Sequence, residues 1–587
     1  MNNKTLKKVI TFSVFFILFI FRFVMGLSKF AGDDELQIYL IGLQSFTTKI
    51  YPFFGPDVVY SQTQIPGGLQ GLLISIPIQL LGIPEAPYIL LNILTFAALA
   101  FLGWYISRRI SNVPKWFIYI WILTCPWALN YSTHIENPSY VLVGAILFFI
   151  AVFDLGHFYK TRLLNDKLSF AFLGFSLFWI MQLHLSWVLL PPYLLWLIWV
   201  NRNDKKLLLR GLLYFVLGAL VSVSTLIPTL VTYNLGGLES NIVFNTGNIK
   251  NIPTIIFRFF SFASYEIPRF IGYDTPSRIS YLMDQPWVIP VVLFLLLVGF
   301  FQAGYFIYSL FVRKGTYEWN KVRMFTVYTL LLICISFLFS ISNPGSHTFY
   351  LSFPIAIWYS FHTYGKLFTY RIKKLVVVFL ISGILFQLSL FVNRFHEESL
   401  FAHRTQVVKA ISAMDYTFVG TRRESKLLKE RKEAIWIEKK QTGSLTYYAD
   451  LEVKDPYFRG QNIVNNIAYK GKYSCKVDSI QPFGATFVTR MKSSEMPTQV
   501  TLSFYVKANG IEDFILVYEV RNTENSIWKS MDLKEKYIPG QEWRFIKLEF
   551  ELPEITEDET EVAMYFWMKN KSGAVLYVDD LELGFKY

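Results

Sequence analysis

Eleven stretches of this chain are apolar over lengths that can cross roughly 30 Å of hydrocarbon, which takes about 20 residues, fewer where flanking side chains reach back to the interface. They lie at about 9–28, 87–107, 115–132, 138–154, 168–186, 187–201, 208–232, 286–312, 324–341, 347–364 and 375–393. Composition agrees: 53% of the 587 residues are hydrophobic and 17% charged, where a soluble chain carries about 25% charged residues. Such a chain is neither disordered nor a fibre. Its excess of basic residues is not the basic face of a soluble nucleic-acid binder. The expected fold class is a polytopic α-helical membrane protein with about eleven spans.

The excess of thirteen positive charges lies entirely within residues 1–400, and 401–587 is neutral. Lysine and arginine accumulate in short cytoplasmic loops. The clusters Lys4/Lys7/Lys8, Arg108/Arg109/Lys115, Lys160/Arg162/Lys167, Arg202/Lys205/Lys206/Arg210, Arg313/Lys314/Lys321/Arg323 and Lys366/Arg371/Lys373/Lys374 fall at alternate loops. All six can lie inside only if 68–83, with a proline within its apolar run, does not span. The N-terminus is then cytoplasmic and everything after about 395 is outside. The first span lacks a small-residue cleavage site and reads as a retained signal anchor. The outer face is built from loop 29–86, the turn Ser132–Asn137, loop 233–285 and the turn Ser342–His347. The inner loops are short and carry no G-x-x-x-x-G-K-[ST] sequence, which excludes an ATP-driven pump.

Three domains are expected: a helical membrane domain at 1–394, a charged helical connector at 395–442 (TRRESKLLKERKEAIWIEKK), and an all-β domain at 443–587. In the last, about eight segments alternate with period two, among them TQVTLSFYVKA, DFILVYEVR and EVAMYFWMK, with polar turns between, as in a β-sandwich. One cysteine there, Cys475, allows no disulfide framework. The phrases Tyr469-Lys470-Gly471-Lys472-Tyr473-Ser474 and Tyr577-Val578-Asp579-Asp580-Leu581-Glu582-Leu583 resemble the jelly rolls of carbohydrate-binding modules. Many such domains are spacers, so the resemblance leaves sugar binding open.

Carboxylates at a membrane surface call for a reason. Asp33, Asp34 and Glu35 follow the first span directly. Three adjacent acids repel unless a cation, a metal or a substrate hydroxyl offsets them, and one of them should then hold its proton more tightly, as a general base does. An acidic N-cap of the amphipathic helix that follows explains them equally well. Glu136 lies beside His134 in the tight turn before Asn137-Pro138, where these residues could simply cap the next helix. Arg22, within the first span, is expected to snorkel or to pair with Asp33.

Several of these features occur in one order. The acidic pair after the first span is followed by Gln64-Ile65-Pro66-Gly67-Gly68-Leu69 before a short apolar helix, then by a span ending in Arg108-Arg109, and then by Glu136. This order resembles the GT-C class of polytopic glycosyltransferases, in particular bacterial relatives of protein O-mannosyltransferases and the aminoarabinose transferase of lipid A. His347-Thr348-Phe349-Tyr350 stands where that group has an Arg-Tyr stretch, and Leu183-His184-Leu185-Ser186 where it has Lys-Gly-Pro. The resemblance implies transfer of a sugar from a polyprenyl-phosphate-linked donor to a protein, lipid or glycan acceptor, on the outer face of a bacterial inner membrane. It implies Asp34, or Asp33, as acceptor-activating acid and Glu136 as the second carboxylate. Arg269, Arg258, His347, Tyr350 and Gln64 are the donor-binding candidates. Glu35, His134 and His184 are the acceptor-binding candidates. The lysine of the family's Lys-Pro-Pro site is Gln64 here, so a basic residue of the 233–285 loop (Lys250, Arg258, Arg269 or Arg278) would have to meet the phosphate. No cofactor is implied with certainty, and a divalent metal is left open.

The competing class is a transporter or flippase of lipid-linked glycan. It should carry internal repeats and mid-membrane ionisable groups. The chain has no evident repeat, and apart from Arg22 its ionisable groups sit at the rim. No nucleic-acid partner is expected.

Overall fold

A computed structural model describes the chain apart from residues 1–2, 31–32, 59–62, 234–243, 273, 313–314, 341–342, 368–371, 396–398, 415–443, 450, 452–457, 460–461, 492–496, 498, 522–525, 536–539, 553–559, 571 and 587. It forms two compact units, one of residues 1–46 and 50–402 and one of 47–49 and 403–587. The charged segment 421–440 of the expected connector lies outside the described residues; ahead of it runs a helix, Leu400–Ala413.

Apart from one short hairpin, the regular structure among the described residues of the first unit is helical, as a chain in hydrocarbon must be to pair its own backbone. Its helices are α1 (Asn3–Gly26), α2 (Asp33–Thr48), α3 (Leu69–Leu81), α4 (Ala86–Arg109), α5 (Lys115–Thr124), α6 (Pro126–Ser132), α7 (Asn137–Leu155), α8 (Asp166–Met181), α9 (Leu190–Val200), α10 (Lys205–Val223), α11 (Ile227–Tyr233), α12 (Ile252–Ser261), α13 (Ile267–Phe270), α14 (Thr275–Asp284), α15 (Val288–Phe311), α16 (Tyr317–Leu338), α17 (Phe353–Leu367) and α18 (Ile372–Arg394). A helix or pair of helices underlies each of the eleven expected spans. Among the described residues seven helices are long and apolar enough to cross a membrane. The expected 115–132 span is broken: Cys125 is extended (φ −62°, ψ 148°) because Pro126 disfavours a helical residue before it. The break leaves carbonyls without helical partners, and Arg22 fills them. Its guanidinium donates to Leu123 O at 2.9 Å, to Ser132 O at 3.3 Å and to Ser132 Oγ at 2.7 Å. Arg22 is 0% exposed, so it does not snorkel. Burial inside the bundle, with neutral oxygens as partners, replaces the expected reach to the surface.

Between α2 and α3 lies a hairpin of β1 (Phe54–Val58) and β2 (Thr63–Pro66), with Gln64 opposite Asp57. Its exit, Gly67, has φ +99°, and a Cβ there would stand 2.4 Å from Gln182 Oε1. Only glycine fits that approach. Gly67 N donates to Phe53 O, and Gly68 N donates to Thr225 O, which ties the loop to the turn after α10.

Two antiparallel sheets make the second unit a β-sandwich. One runs β10 (Ser526–Asp532), β9 (Phe514–Arg521), β12 (Thr560–Met568), β7 (Phe483–Met491), β4 (Phe458–Arg459). The other runs β11 (Gly540–Phe550), β8 (Gln499–Ala508), β13 (Leu576–Lys586), β6 (Ser474–Val477), β5 (Ile463–Val464), with β3 (Ser444–Ala449) also on β13. The period-two pattern is the cause. Val500, Leu502, Phe504, Val506 and Ala508 of β8 all face the core. In β13 the buried positions change phase, from Leu576 and Val578 to Leu581, Leu583 and Phe585, at a bulge where Asp580 has φ +53°. β10 escaped the sequence reading because it is an edge strand: Ile527 and Trp528 are exposed and the alternation fades.

Candidate functional site

The cluster is built where the ends of three elements meet. Gly26 closes α1 against the turn after α6, so closely that a Cβ would lie 2.4 Å from Thr133 O. That approach brings Lys29 beside the turn and beside the start of α2. The Lys29 ammonium lies 2.8 Å from Glu136 Oε1 and 2.9 Å from Glu35 Oε1. Glu35 is 1% exposed. His134 Nδ1 is 3.4 Å from Gly26 O, and Glu136 N donates to His134 O at 2.8 Å, which makes the turn tight. Glu136 is the N-cap residue of α7 by position, with Pro138 in the first turn, yet its side chain makes no capping bond. It reaches Lys29 instead, so capping does not account for it.

Electrostatics divides the two acids. Burial, reinforced by the neighbouring Glu136 carboxylate, holds the Glu35 carboxyl above the ordinary glutamate range although Lys29 pulls the other way. Burial acts on Glu136 too, but Lys29 outweighs it and keeps it ionised below that range. Burial opposes the Lys29 ammonium, and the two carboxylates more than restore it. His134 is depressed to about 3 by burial and then by Lys29, so its ring is neutral. One acid inclined to keep its proton beside one inclined to lose it is the arrangement acid–base chemistry uses. Arg394, at the end of α18, acts electrostatically on both Lys29 and His134.

A second charged centre adjoins the first through Tyr131. Its hydroxyl donates to Glu266 Oε2 at 3.0 Å, and it also feels Glu136. Glu266 lies 2.8 Å from Arg258 Nε and accepts from Ser346 N at 3.3 Å. Arg258 also donates to Pro344 O. The His347 ring lies 6.0 Å from that of Tyr131, and the buried Tyr350 ring 5.9 Å from it. His184 accepts from Ser186 N at 3.0 Å, which caps the short helix Leu185–Leu189. Burial and then His347 lower its pKa to about 4. Arg269 is exposed.

Of the sequence candidates, Glu35, His134 and Glu136 therefore meet in one cluster, and His347 and Tyr350 gather around Tyr131. His184 lies near His347, whereas Arg258 is committed to Glu266. Gln64 sits in the hairpin. Asp33 and Asp34 form the first turn of α2, and their side chains lie outside the described residues. Among the described residues no group of three or more His, Cys, Asp or Glu is placed to hold a metal ion.

Lys29 and Arg394 went unnoticed in the sequence. Each is a lone cation just past a span, at an end where the distribution of the other basic residues expects none. That violation of the positive-inside pattern was the available signal.

No family model and no curated protein matches the chain. Among solved structures it resembles ArnT from Cupriavidus metallidurans at 12% identity, over 76% of this chain and 94% of that one, with TM-score 0.40. It also resembles the arabinosyltransferase EmbB from Mycobacterium smegmatis at 10% identity, over 97% of this chain and 64% of that one, with TM-score 0.32. The CBM22-2 xylan-binding domain of Paenibacillus barcinonensis Xyn10C aligns at 14% identity over 24% of this chain and 99% of that one, with TM-score 0.17. All three scores fall below 0.5, so the functional reading rests on this chain's own residues.

Proposed function

We propose that the chain is a membrane glycosyltransferase of the GT-C class that moves a sugar from a polyprenyl-phosphate-linked donor to an acceptor hydroxyl. The observation that carries this reading is the Lys29 ammonium held between the buried Glu35 and the partly buried Glu136 at one end of the helical bundle, next to the helix turn that begins with Asp33 and Asp34. In the proposed reaction the acceptor oxygen attacks the anomeric carbon as the bond from that carbon to the phosphate oxygen breaks. The acceptor proton passes to Asp34, or to Asp33, and polyprenyl phosphate departs. Lys29 keeps two acids together at the surface where the donor presents its sugar, and Arg394 adds positive charge near the leaving phosphate.

The topology belongs to the same proposal. Three of the basic loops meet at the far end of the bundle: Arg109 donates to Thr161 O at 2.7 Å and Lys321 to His157 O at 2.6 Å. We assign that end to the cytoplasm and the charged cluster, with the sandwich, to the periplasmic side. Reporter fusions after Lys206 and after Lys440 should give opposite readings.

The test of the chemistry is transfer from a polyprenyl-phosphate sugar by purified Asp34→Asn, Asp33→Asn and Glu136→Gln. Loss of the general base should lower turnover by about 10²–10⁴-fold in Asp34→Asn. Because asparagine caps a helix as well as aspartate does, a capping role predicts near-normal turnover. Full activity in all three variants would overturn the reading.

A further inference from the structure

Beside the Lys29–Glu35–Glu136 cluster, four buried polar atoms find no hydrogen-bond partner among the described residues: the hydroxyls of Tyr88, Ser139 and Tyr140, and Gln70 Oε1. None of the four residues is more than 1% exposed. Leaving a buried polar group unpaired costs about 1–3 kcal/mol. A region with only a structural task would not keep four of them together.

They are together because they surround the first turn of α7, the turn that Glu136 begins. Ser139 and Tyr140 are on it. The Gln70 amide donates to Asn137 Oδ1 and to Leu183 O, which holds Gln70 against that turn, while its own oxygen faces Gly55 of the hairpin. Tyr88, at the start of α4, packs beside Gly26 and interacts electrostatically with both Glu35 and Tyr140. Three of the groups can donate and accept a hydrogen bond, and the fourth accepts. None is a cation, and the nearest ammonium, that of Lys29, is already bracketed by two carboxylates. This set complements hydroxyl groups and not an anion.

We propose that the first turn of α7, with Tyr88 and Gln70, forms a subsite for the hydroxyls of a neutral sugar ring. The inference rests on the glycosyltransferase reading and assigns where that enzyme discriminates its sugar. A site built to bond hydroxyls rejects rings that lack them, because its own groups are then left unpaired.

The experiment measures binding to the purified full-length protein in detergent. The probes are a panel of neutral monosaccharides, followed by ligand-observed NMR and thermal shift, and undecaprenyl phosphate without a sugar. At least one monosaccharide should bind saturably. Tyr88→Phe and Tyr140→Phe should each weaken that binding by about tenfold, or ~1.4 kcal/mol. The ligand-free Tm should hold in both, since the lost hydroxyl had no partner, and undecaprenyl phosphate should bind as before. Unchanged sugar affinity in both variants overturns the subsite. So does the absence of saturable sugar binding, or a drop in ligand-free Tm that reveals structural hydroxyls. A transfer assay on the same preparations separates the two proposals: hydroxyl-sensitive sugar binding without turnover supports the subsite and sinks the enzyme reading, and turnover indifferent to both hydroxyls does the reverse.

Discussion

Helices α4 and α7 each run from one charge cluster to another, and the two clusters differ in how completely their polar groups are matched. At their C-terminal ends Asp154 is saturated. Its Oδ1 accepts from Arg109 at 2.5 Å and from the Tyr105 hydroxyl at 2.8 Å, and its Oδ2 accepts from the amides of Leu163 and Leu164 at 2.8 and 2.6 Å. Arg109 also lies over the Tyr159 ring at 4.4 Å. At their N-terminal ends Lys29 joins two acids whose surroundings leave Tyr88, Ser139, Tyr140 and Gln70 with unused bonding capacity. The Asp154 carboxylate ties loops to the bundle with both oxygens engaged, and of this cluster only Arg109 Nε lacks a partner among the described residues. The unsaturated one spends stability to keep groups available, which is how sites differ from struts.

The contrast is easiest to break at the saturated end. Arg109→Met leaves the Asp154 carboxylate buried without its cation, and should cost about 3–5 kcal/mol. A thermal melt of the detergent-solubilised protein reads it as a large fall in Tm. A small fall would mean that the two ends do not differ as described. At the opposite end the close approach at Gly26 is the weaker joint. Gly26→Ala drives a methyl into Thr133 O and should cost about 1–3 kcal/mol. It should also lower transfer, because the turn carrying His134 and Glu136 must move away from Lys29. An Ala variant with wild-type Tm and turnover would show that this approach does not position the cluster.

The smallest effect is a pH dependence confined to the unsaturated end. Folded Glu35 keeps its proton above the ordinary glutamate value of 4.5, so as pH rises past that value the unfolded chain gives up a proton that the folded chain retains. The folded state then loses stability by up to about 1.4 kcal/mol per pH unit. Glu136, shifted the other way, reaches its full contribution by about that same pH and adds no slope above it. His134 and His184, held below the ordinary histidine value of 6.5, add an opposing slope that ends at that value, so melts compared at about pH 6.5 and about pH 8 should show this loss in the wild type and not in Glu35→Gln. An identical slope in the variant would remove Glu35 as its source.

Much of this was legible in the residues, for reasons that differ by element. The spans were legible because apolar length is a local property and hydrocarbon demands it over an unbroken run. The short helix Leu69–Leu81, with Pro77 inside it, was legible for the same reason. The sandwich was legible wherever one face of a strand is buried, and faded at the edge strand β10 and in the two-residue strands β4 and β5, where burial imposes no alternation. Glu35, His134 and Glu136 stood out as charges and polar groups at a rim that should have few.

What sequence could not settle was which charges meet. Lys29 and Glu136 are 107 positions apart, and their contact exists because a glycine lets α1 close onto the turn after α6. Arg22 found carbonyls freed by a helix break, with Leu123 O 101 positions later, and not the surface. The unpaired hydroxyls of Tyr88 and Tyr140 carry no sequence signal, because a tyrosine in an apolar helix reads the same whether its oxygen is bonded or waiting. Hydrophobic length and alternation are summed along the chain, so the sequence by itself determined the membrane spans and the strands. Charge pairing depends on distances of about 3 Å between groups brought together from separate helices, and only the tertiary structure decided those.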